Sequence, residues 1–336
     1  MKTGHPLTTR RAILGQAGLV VGMTLAAPAI VRAQTKTYPT RPVRVIVPFA
    51  PGGGTDLVGR IACEGLSRGL GQNFIVENIE GAATQIGTDQ AAKAANDGYT
   101  LLFASSDGMS VLPAVKPSVP FKLPDDFEFI SGFASNPLIV GVNAKLPIHT
   151  LSELAAYGKA HPRGLKYTSS GTGTGGHVWG AYLAKVAGIE MIHVPYRGGS
   201  PALIAVAGGF GDLSLVSSAS MASFLNAGTI RGIATTGQKR SPTFPNIPTV
   251  VEGGMPDLTL IMCTGLYSPA GVPEGYRTIL RNRLSEQLKE EATDKRLFDL
   301  GVDPFDIGGA EFRDYMAKDL NRWREVAKIV NVRLGA

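Results

Sequence analysis

Cysteine is nearly absent from this chain, which has only two, Cys63 and Cys263, among 336 residues. So few thiols exclude a disulfide-rich scaffold and a cysteine-based metal centre. Two cysteines allow one bridge at most, and their long separation in sequence gives no sign that their Cα atoms approach each other. We therefore favour two free, buried thiols over a single disulfide.

A strong charge of one sign is also missing. The formal net charge is +6, and four of the 33 basic residues (Lys2, Arg10, Arg11 and Arg32) fall within the first 33 positions. The rest of the chain has 29 Lys and Arg against 27 Asp and Glu. A nearly balanced surface gives no electrostatic reason to bind nucleic acid or an anionic membrane, so we predict neither partner.

The first 33 residues contain no acidic residue. Basic positions precede an apolar stretch over residues 17–30, and Val31-Arg32-Ala33 offers a small-residue cleavage site, so we predict a signal peptide over residues 1–33 and export. Residues 9–14 approach the twin-arginine pattern, which we favour over general secretion. A retained membrane anchor is disfavoured, because about 14 apolar residues fall short of the roughly 20 that a spanning helix needs.

No later apolar run approaches membrane length; strand-like runs alternate with segments of helical length instead. This alternation is typical of the α/β class, in which helices cover sheets. The length after the leader exceeds what one core usually serves, so we predict two lobes. Lobe 1 comprises residues 38–141 and 258–336, and lobe 2 comprises residues 142–257. The chain then crosses between lobes near residues 140 and 258, and these two crossings form a hinge.

One local construction occurs twice: a short apolar run, a glycine-rich turn and the start of a helix. The first copy spans residues 43–56 and contains Gly52-Gly53-Gly54-Thr55-Asp56, and the second spans residues 165–177 and contains Gly171-Thr172-Gly173-Thr174. Such turns present free backbone N–H groups at the positive end of a helix dipole. We therefore expect two anion-binding turns that face one cleft.

Longer stretches resemble one known family along almost the whole chain after the leader. They are residues 38–56, 70–78, 97–102, 193–198 and 240–250. Their content and order closely resemble the tripartite tricarboxylate transporter substrate receptors, also called the Bug family. The resemblance implies a periplasmic location and an α/β periplasmic-binding-protein fold (Venus flytrap, type II), with two doubly wound α/β lobes joined by a two-crossing hinge.

The resemblance further implies a solute-binding receptor, not an enzyme, that captures a small carboxylate between its lobes. Its partners would be the membrane subunits of a tripartite tricarboxylate transporter; we expect a monomer without cofactor or metal. In the family, backbone and hydroxyl groups of the two glycine-rich turns hold the carboxylate. By position these are Phe49, Gly53, Gly54, Thr55 and Asp56 in the first turn, and Ser169, Gly171, Gly173 and Thr174 in the second.

Four more candidates follow from their positions at the ends of elements. Ser105 and Ser106 come just after a lobe 1 strand, and Asp212 comes just after a lobe 2 helix. Tyr196 ends a strand at the edge where ligands sit in open α/β sheets, although packing beside Pro195 explains it equally well.

Two departures from the family pattern leave the ligand itself unidentified. Ile79-Glu80-Gly81-Ala82-Ala83-Thr84 stands where the family usually has Arg-Pro-Gly-Ala-Gly-Gly, and Cys263 stands where Trp is common. Both regions can approach the cleft.

The second turn also permits two other interpretations. Gly171, Gly173 and Gly176 fit the dinucleotide motif Gly-x-Gly-x-x-Gly, but an exported chain is a poor setting for a nicotinamide cofactor. Ser169 or Ser170 with His177, oriented by Asp212, could act as a secreted serine hydrolase. Serine-rich turns near one histidine are common by chance, so we rank the receptor above the hydrolase and the hydrolase above an NAD(P)-dependent oxidoreductase.

Overall fold

The computed structural model describes residues 38–335, together with residues 1, 3 and 4. The predicted signal peptide, residues 1–33, lies outside the described residues apart from those three. The elements in chain order are β1 (Val43–Val47), α1 (Gly54–Leu70), β2 (Phe74–Asn78), α2 (Gln85–Ala92), β3 (Thr100–Ser105), α3 (Leu112–Val115), β4 (Phe127–Asn136), β5 (Leu138–Asn143), α4 (Leu151–Ala160), β6 (Leu165–Ser169), α5 (Gly175–Ala187), β7 (Met191–Pro195), α6 (Gly199–Ala207), β8 (Leu213–Ser217), α7 (Ser218–Asn226), β9 (Ile230–Thr235), β10 (Met262–Pro269), α8 (Glu274–Leu288), α9 (Glu291–Asp299), β11 (Asp303–Pro304) and α10 (Gly309–Val330). A π-helical turn, Asp107–Val111, joins β3 to α3.

The strands form two sheets whose strand orders correspond. The first sheet runs β2-β1-β3-β10-β4-β11 and the second runs β7-β6-β8-β5-β9, so β11 is the strand of the first sheet without a counterpart in the second. In each sheet three neighbouring strands are parallel. The strand that follows them, β10 in the first sheet and β5 in the second, pairs antiparallel to its neighbours. The predicted two-lobe α/β architecture is confirmed, with mixed rather than purely parallel sheets.

The first crossing between the sheets occurs at Pro137. Strand β4 ends at Asn136 in the first sheet, and β5 begins at Leu138 in the second, where it pairs with β8 and β9. The predicted end of lobe 1 at residue 141 therefore falls inside a strand of the second sheet. Proline explains the position of the break, because it has no N–H to donate to a strand ladder. The chain returns to the first sheet at β10.

Helix α10 adds a third link between the two parts. Phe312 and Met316, near its start, pack in a cluster with Phe129 and Tyr267 of the first sheet. Trp323, near its end, packs in the cluster that contains Trp179 of α5. The C-terminal segment, assigned by sequence wholly to lobe 1, therefore contacts both sheets' cores.

Both cysteines are free and buried. Burial raises the pKa of the Cys63 thiol to about 12 and raises that of Cys263 as well. Free, buried thiols are what the sequence favoured, and their raised pKa values keep both thiols protonated at neutral pH. In the part of the chain that the structure describes, no helix is long and apolar enough to cross a membrane.

Candidate functional site

A small inner cavity lies between the carboxyl ends of the parallel strands of the two sheets. Its volume is about 40 Å³. Five of the residues predicted from the sequence line it: Phe49, Gly53, Gly54, Thr55 and Ser105. Lining residues from the second sheet's side include Ser170, Ser217 and Ser220.

The N-terminus of α1 forms one wall of the inner cavity. The Gly54 N–H donates a 2.8 Å hydrogen bond to Ser220 Oγ, which belongs to α7 on the opposite side. A side chain at residue 54 would displace the facing serines, since a Cβ built there would lie 2.3 Å from Ser217 Oγ. Glycine at this position therefore lets the helix end approach the facing serines directly.

The N-terminus of α5 forms the facing wall, and it is joined to the first sheet's side by Asp107. The Gly175 N–H donates to Asp107 Oδ1 at 2.6 Å, and Ser105 Oγ donates to Asp107 Oδ2 at 3.1 Å. Burial raises the pKa of Asp107, although these two hydrogen bonds oppose the shift. Asp107 was not predicted from the sequence, which stopped at Ser105 and Ser106 immediately before it.

An outer groove of about 510 Å³ adjoins the inner cavity, and Phe49 and Ser170 line both. Gly171 and Tyr196, both predicted from the sequence, line this groove. Its walls are largely apolar, with Glu80 and Arg197 as the charged lining residues. Residues 80–84, which belong to the segment that differs from the family pattern, form one wall. Within it Ala82, Ala83 and Thr84 have φ values of 46°, 53° and 80°.

Asp56 and Ser106, although predicted for the site, line neither cavity. Asp56 is only 1% exposed, and its carboxylate accepts hydrogen bonds from the Gly52 N–H, from Asn78 Nδ2 and from Arg60 Nε. Burial alone would raise the pKa of Asp56, but these bonds outweigh it and lower the pKa. Ser106 Oγ accepts from the Cys263 N–H at 3.1 Å. Both side chains are committed to local structure.

In the second turn, Ser169, Gly173 and Thr174 also line neither cavity. Ser169 Oγ accepts from the Gly171 N–H, and Thr174 Oγ1 donates to the Gly171 carbonyl. The Gly173 N–H donates to His177 Nδ1 at 3.2 Å. These bonds shape the turn.

Asp212 lies at the wrong end of its strand. It precedes β8 and accepts a hydrogen bond from the Lys166 N–H at the start of β6, whereas ligands in such sheets bind at the carboxyl ends. The structure therefore contradicts its placement in the cleft. The carboxyl end of the same strand carries Ser217, which does line the inner cavity; applying the rule to the end of β8 would have found it.

The residues proposed for a hydrolase triad are not assembled as one. Ser169 Oγ lies 2.7 Å from His193 Nε2, not from His177, whose Nδ1 accepts from Gly173. Asp212 lies at the opposite end of the sheet. The chain does contain one Gly-x-Ser-x-Gly sequence, at residues 65–69, but it lies inside α1, where Ser67 Oγ donates to the Cys63 carbonyl. A nucleophile elbow needs a strand-to-helix turn instead.

Known proteins resemble the chain over nearly its whole length. The family model for the tripartite tricarboxylate transporter family receptor matches residues 58–332. Protein BugT of Bordetella pertussis is 30% identical over 317 residues, which cover 94% of this chain and 97% of BugT.

Solved structures agree. The periplasmic binding protein BugD is 29% identical with a TM-score of 0.83, covering 88% of this chain and 99% of BugD. A protein of R. palustris, solved with adipate, is 28% identical with a TM-score of 0.86 over 88% and 99% of the two chains. MatC from Rhodopseudomonas palustris, with bound malate, is 28% identical with a TM-score of 0.80 over 86% and 99%. The fold and the family expected from the sequence are thereby confirmed: the chain belongs to the receptors of the tripartite tricarboxylate transporter family, the Bug proteins, and is a solute-binding receptor.

Proposed function

We propose that this receptor captures a carboxylate-bearing solute in the periplasm and delivers it to the membrane subunits of a tripartite tricarboxylate transporter. A cleavable leader, residues 1–33, exports it, and it acts as a monomer by binding and release rather than by catalysis. Adipate and malate, found with two of the similar structures, are both carboxylates.

The observation that carries the proposal is the N-terminus of α1 at the inner cavity. The first N–H groups of a helix have no partners within the helix, and the dipole makes that end attractive to an anion. Gly53, Gly54 and Thr55 bring this end to the cavity wall. Of the described residues that line the inner cavity, none is Lys, Arg or His. Backbone N–H groups and hydroxyls therefore provide the grip on the carboxylate.

The inner cavity and the outer groove hold two different parts of the ligand. A volume of about 40 Å³ suits a carboxylate head group, because a single water needs roughly 10–15 Å³ on this scale. The rest of the ligand extends past Phe49 and Ser170 into the outer groove. Movement of the lobes about the crossings admits the ligand, and contacts such as Gly54 to Ser220 re-form on closure.

Replacing Gly54 by Ala tests this site. The added Cβ would push Ser217 and Ser220 away from the helix end, so we expect the affinity for a bound carboxylate to fall by about tenfold or more, which is 1.4 kcal/mol. Alanine favours helix, so the fold should persist. Isothermal titration of the processed receptor with malate and adipate measures the effect.

Gly275→Ala is the matched control, since Gly275 also lies in the first turn of a helix and a Cβ there would meet nothing within 4 Å. We expect the control to bind like the unchanged receptor. Equal affinities for both variants would remove the α1 N-terminus from the site, and a receptor that binds no carboxylate in a wider panel would refute the proposed function.

A further inference from the structure

Asp107 places a carboxylate inside a cavity that is proposed to bind a carboxylate. It is the one ionisable side chain among the described residues that line the inner cavity. Its two oxygens accept one hydrogen bond each, from the Gly175 N–H and from Ser105 Oγ. A carboxylate has about four acceptor positions, so Asp107 retains the capacity to accept hydrogen bonds from a ligand.

The helix end that Asp107 contacts is thereby already neutralised. Gly175 is the first residue of α5, and its N–H donates to the protein's own carboxylate. A ligand anion at this wall would meet a negative charge with no cationic side chain nearby to offset it. The N-terminus of α1 thus remains as the anion-binding wall, and the α5 side presents an acceptor.

Asn136 supplies a second, independent observation. Its side chain is 3% exposed, it lines the same cavity, and its Oδ1 has no hydrogen-bond partner within the described structure. An unpaired buried carbonyl oxygen is costly unless a donor satisfies it. Asp107 therefore has open acceptor positions, and Asn136 Oδ1 is an unpaired acceptor in a residue that lines the same cavity; both suit a hydrogen-bond donor.

Asp56, the other carboxylate near the first turn, does not serve this purpose. It is held by Gly52, Asn78 and Arg60, and its charge is already paired with Arg60 at 2.9 Å.

We propose that Asp107, with Asn136, selects ligands that carry an ammonium group close to their carboxylate, so that this receptor takes zwitterionic amino acids in preference to plain dicarboxylates. The carboxylate of the ligand binds at the α1 N-terminus and its ammonium group donates to Asp107 and Asn136 Oδ1. Because the cavity holds only about 40 Å³, its walls lie close enough for one amino acid head group to contact both. This inference rests on the proposed function and specifies its ligand class.

Ligand pairs that differ in one ammonium group test the inference directly. Titration calorimetry would compare L-alanine with propionate, and L-aspartate with succinate, on the processed receptor and on Asp107→Asn. We expect the unchanged receptor to prefer the ammonium-bearing member of each pair. Asp107→Asn keeps the shape and removes the charge, so we expect that preference to fall by about 30-fold or more, the usual scale for one lost partner of a buried charge pair, while succinate binds more tightly.

Asp212→Asn is the matched control, because Asp212 also accepts a backbone N–H, at 2.7 Å from Lys166, but lies at the far end of the sheet. We expect it to keep the preference of the unchanged receptor. A preference that is the same in Asp107→Asn would overturn the inference, as would an equal gain in affinity for every carboxylate, since that would make Asp107 a competitor of the ligand's carboxylate.

Should Asp107→Asn fail to fold, the unchanged receptor still decides: preference for propionate over alanine, or for succinate over aspartate, contradicts the inference. Binding of plain carboxylates alone leaves the proposed function standing without the amino acid preference. Binding of none of the four compounds nor of a wider carboxylate panel counts against the proposed function itself.

Discussion

Some buried polar side chains lower the stability of this receptor, and Asp319 on α10 is the clearest example. Its side chain is 6% exposed, and its Oδ2 has no hydrogen-bond partner within the described structure. Burial raises the pKa of Asp319 to about 6, opposed by the hydroxyls of Ser110 and Ser106 and by Arg322, and assisted by the charge of Asp107. The folded protein thus holds a proton on Asp319 that the unfolded chain releases nearer pH 4.

This shift predicts a pH dependence. A raised folded-state pKa makes the stability contribution of Asp319 fully present below about pH 4, and it declines as the pH rises to about 6. Asp319→Asn mimics the protonated form, so we expect similar stabilities of both proteins at pH 4 and a variant more stable by up to about 3 kcal/mol at pH 7. Urea unfolding at the two pH values measures this. A variant less stable than the parent at pH 7 would show that the charge is used.

Ala82 offers a second test, because three successive non-glycine residues there have positive φ. Left-handed backbone costs an L-residue with a Cβ roughly 1–2 kcal/mol, and glycine avoids most of it. We expect Ala82→Gly to raise the free energy of unfolding by about 0.5–1 kcal/mol, less than the full cost because glycine also makes the unfolded chain more flexible.

Ala156→Gly is its counterpart, an exposed alanine inside α4. There glycine should lower the free energy of unfolding by about 1 kcal/mol. Denaturant unfolding that shifts both variants in the same direction would exclude backbone strain at Ala82.

Residue by residue, the sequence predicted the first turn best. The local strand-turn-helix pattern predicted the turn, the family resemblance implied its residues, and Phe49, Gly53, Gly54 and Thr55 line the inner cavity. Asp107, Asn136 and Ser220 were missed because their roles depend on contacts between distant parts of the chain, such as the bond from Gly175 to Asp107. No local pattern encodes such a contact.

At the scale of elements, helix α10 links the two sheets' cores. Its apolar positions change partners along its length, from Phe129 and Tyr267 near the start to Trp179 near the end. The helix spans Gly309–Val330, within the segment 258–336 that the sequence assigned to lobe 1. Which core each turn contacts is a tertiary property, so the assignment of the whole segment to lobe 1 was incomplete.

Trp323 should dominate the stability of this link. Its side chain is fully buried, so we expect Trp323→Ala to destabilise the protein by about 3–5 kcal/mol through the cavity it leaves. Trp323→Phe should cost less, since Trp323 Nε1 has no recorded partner in the described residues to lose.

Ile329→Ala, on the same helix but at a side chain 43% exposed, serves as the control and should change stability by no more than about 0.5 kcal/mol. Thermal and urea unfolding would compare the three variants. A small effect of Trp323→Ala would mean that the end of α10 packs weakly on the core that contains Trp179.

At the scale of the whole molecule, the alternation of strands and helices predicted the α/β class, and the chain length predicted two lobes with two crossings between them. The sequence placed the first crossing near residue 140, and the structure places it at Pro137; the sequence could not fix the exact residue, because an apolar strand has the same pattern in either sheet. The antiparallel direction of β5 and β10 was not predicted either, since strand direction depends on the path of the chain between the sheets.

The tail that follows α10, residues 331–335, lies against the second glycine-rich turn. The Leu334 N–H donates to the Val115 carbonyl, and Leu334 Cδ1 lies 2.8 Å from where a Cβ at Gly173 would stand, directly behind the second glycine-rich turn. A reporter domain or affinity handle attached to this tail would act on the back of that turn. In a biosensor built from this receptor, an attachment at residues 331–335 would therefore be coupled to the second glycine-rich turn and would not be a neutral position.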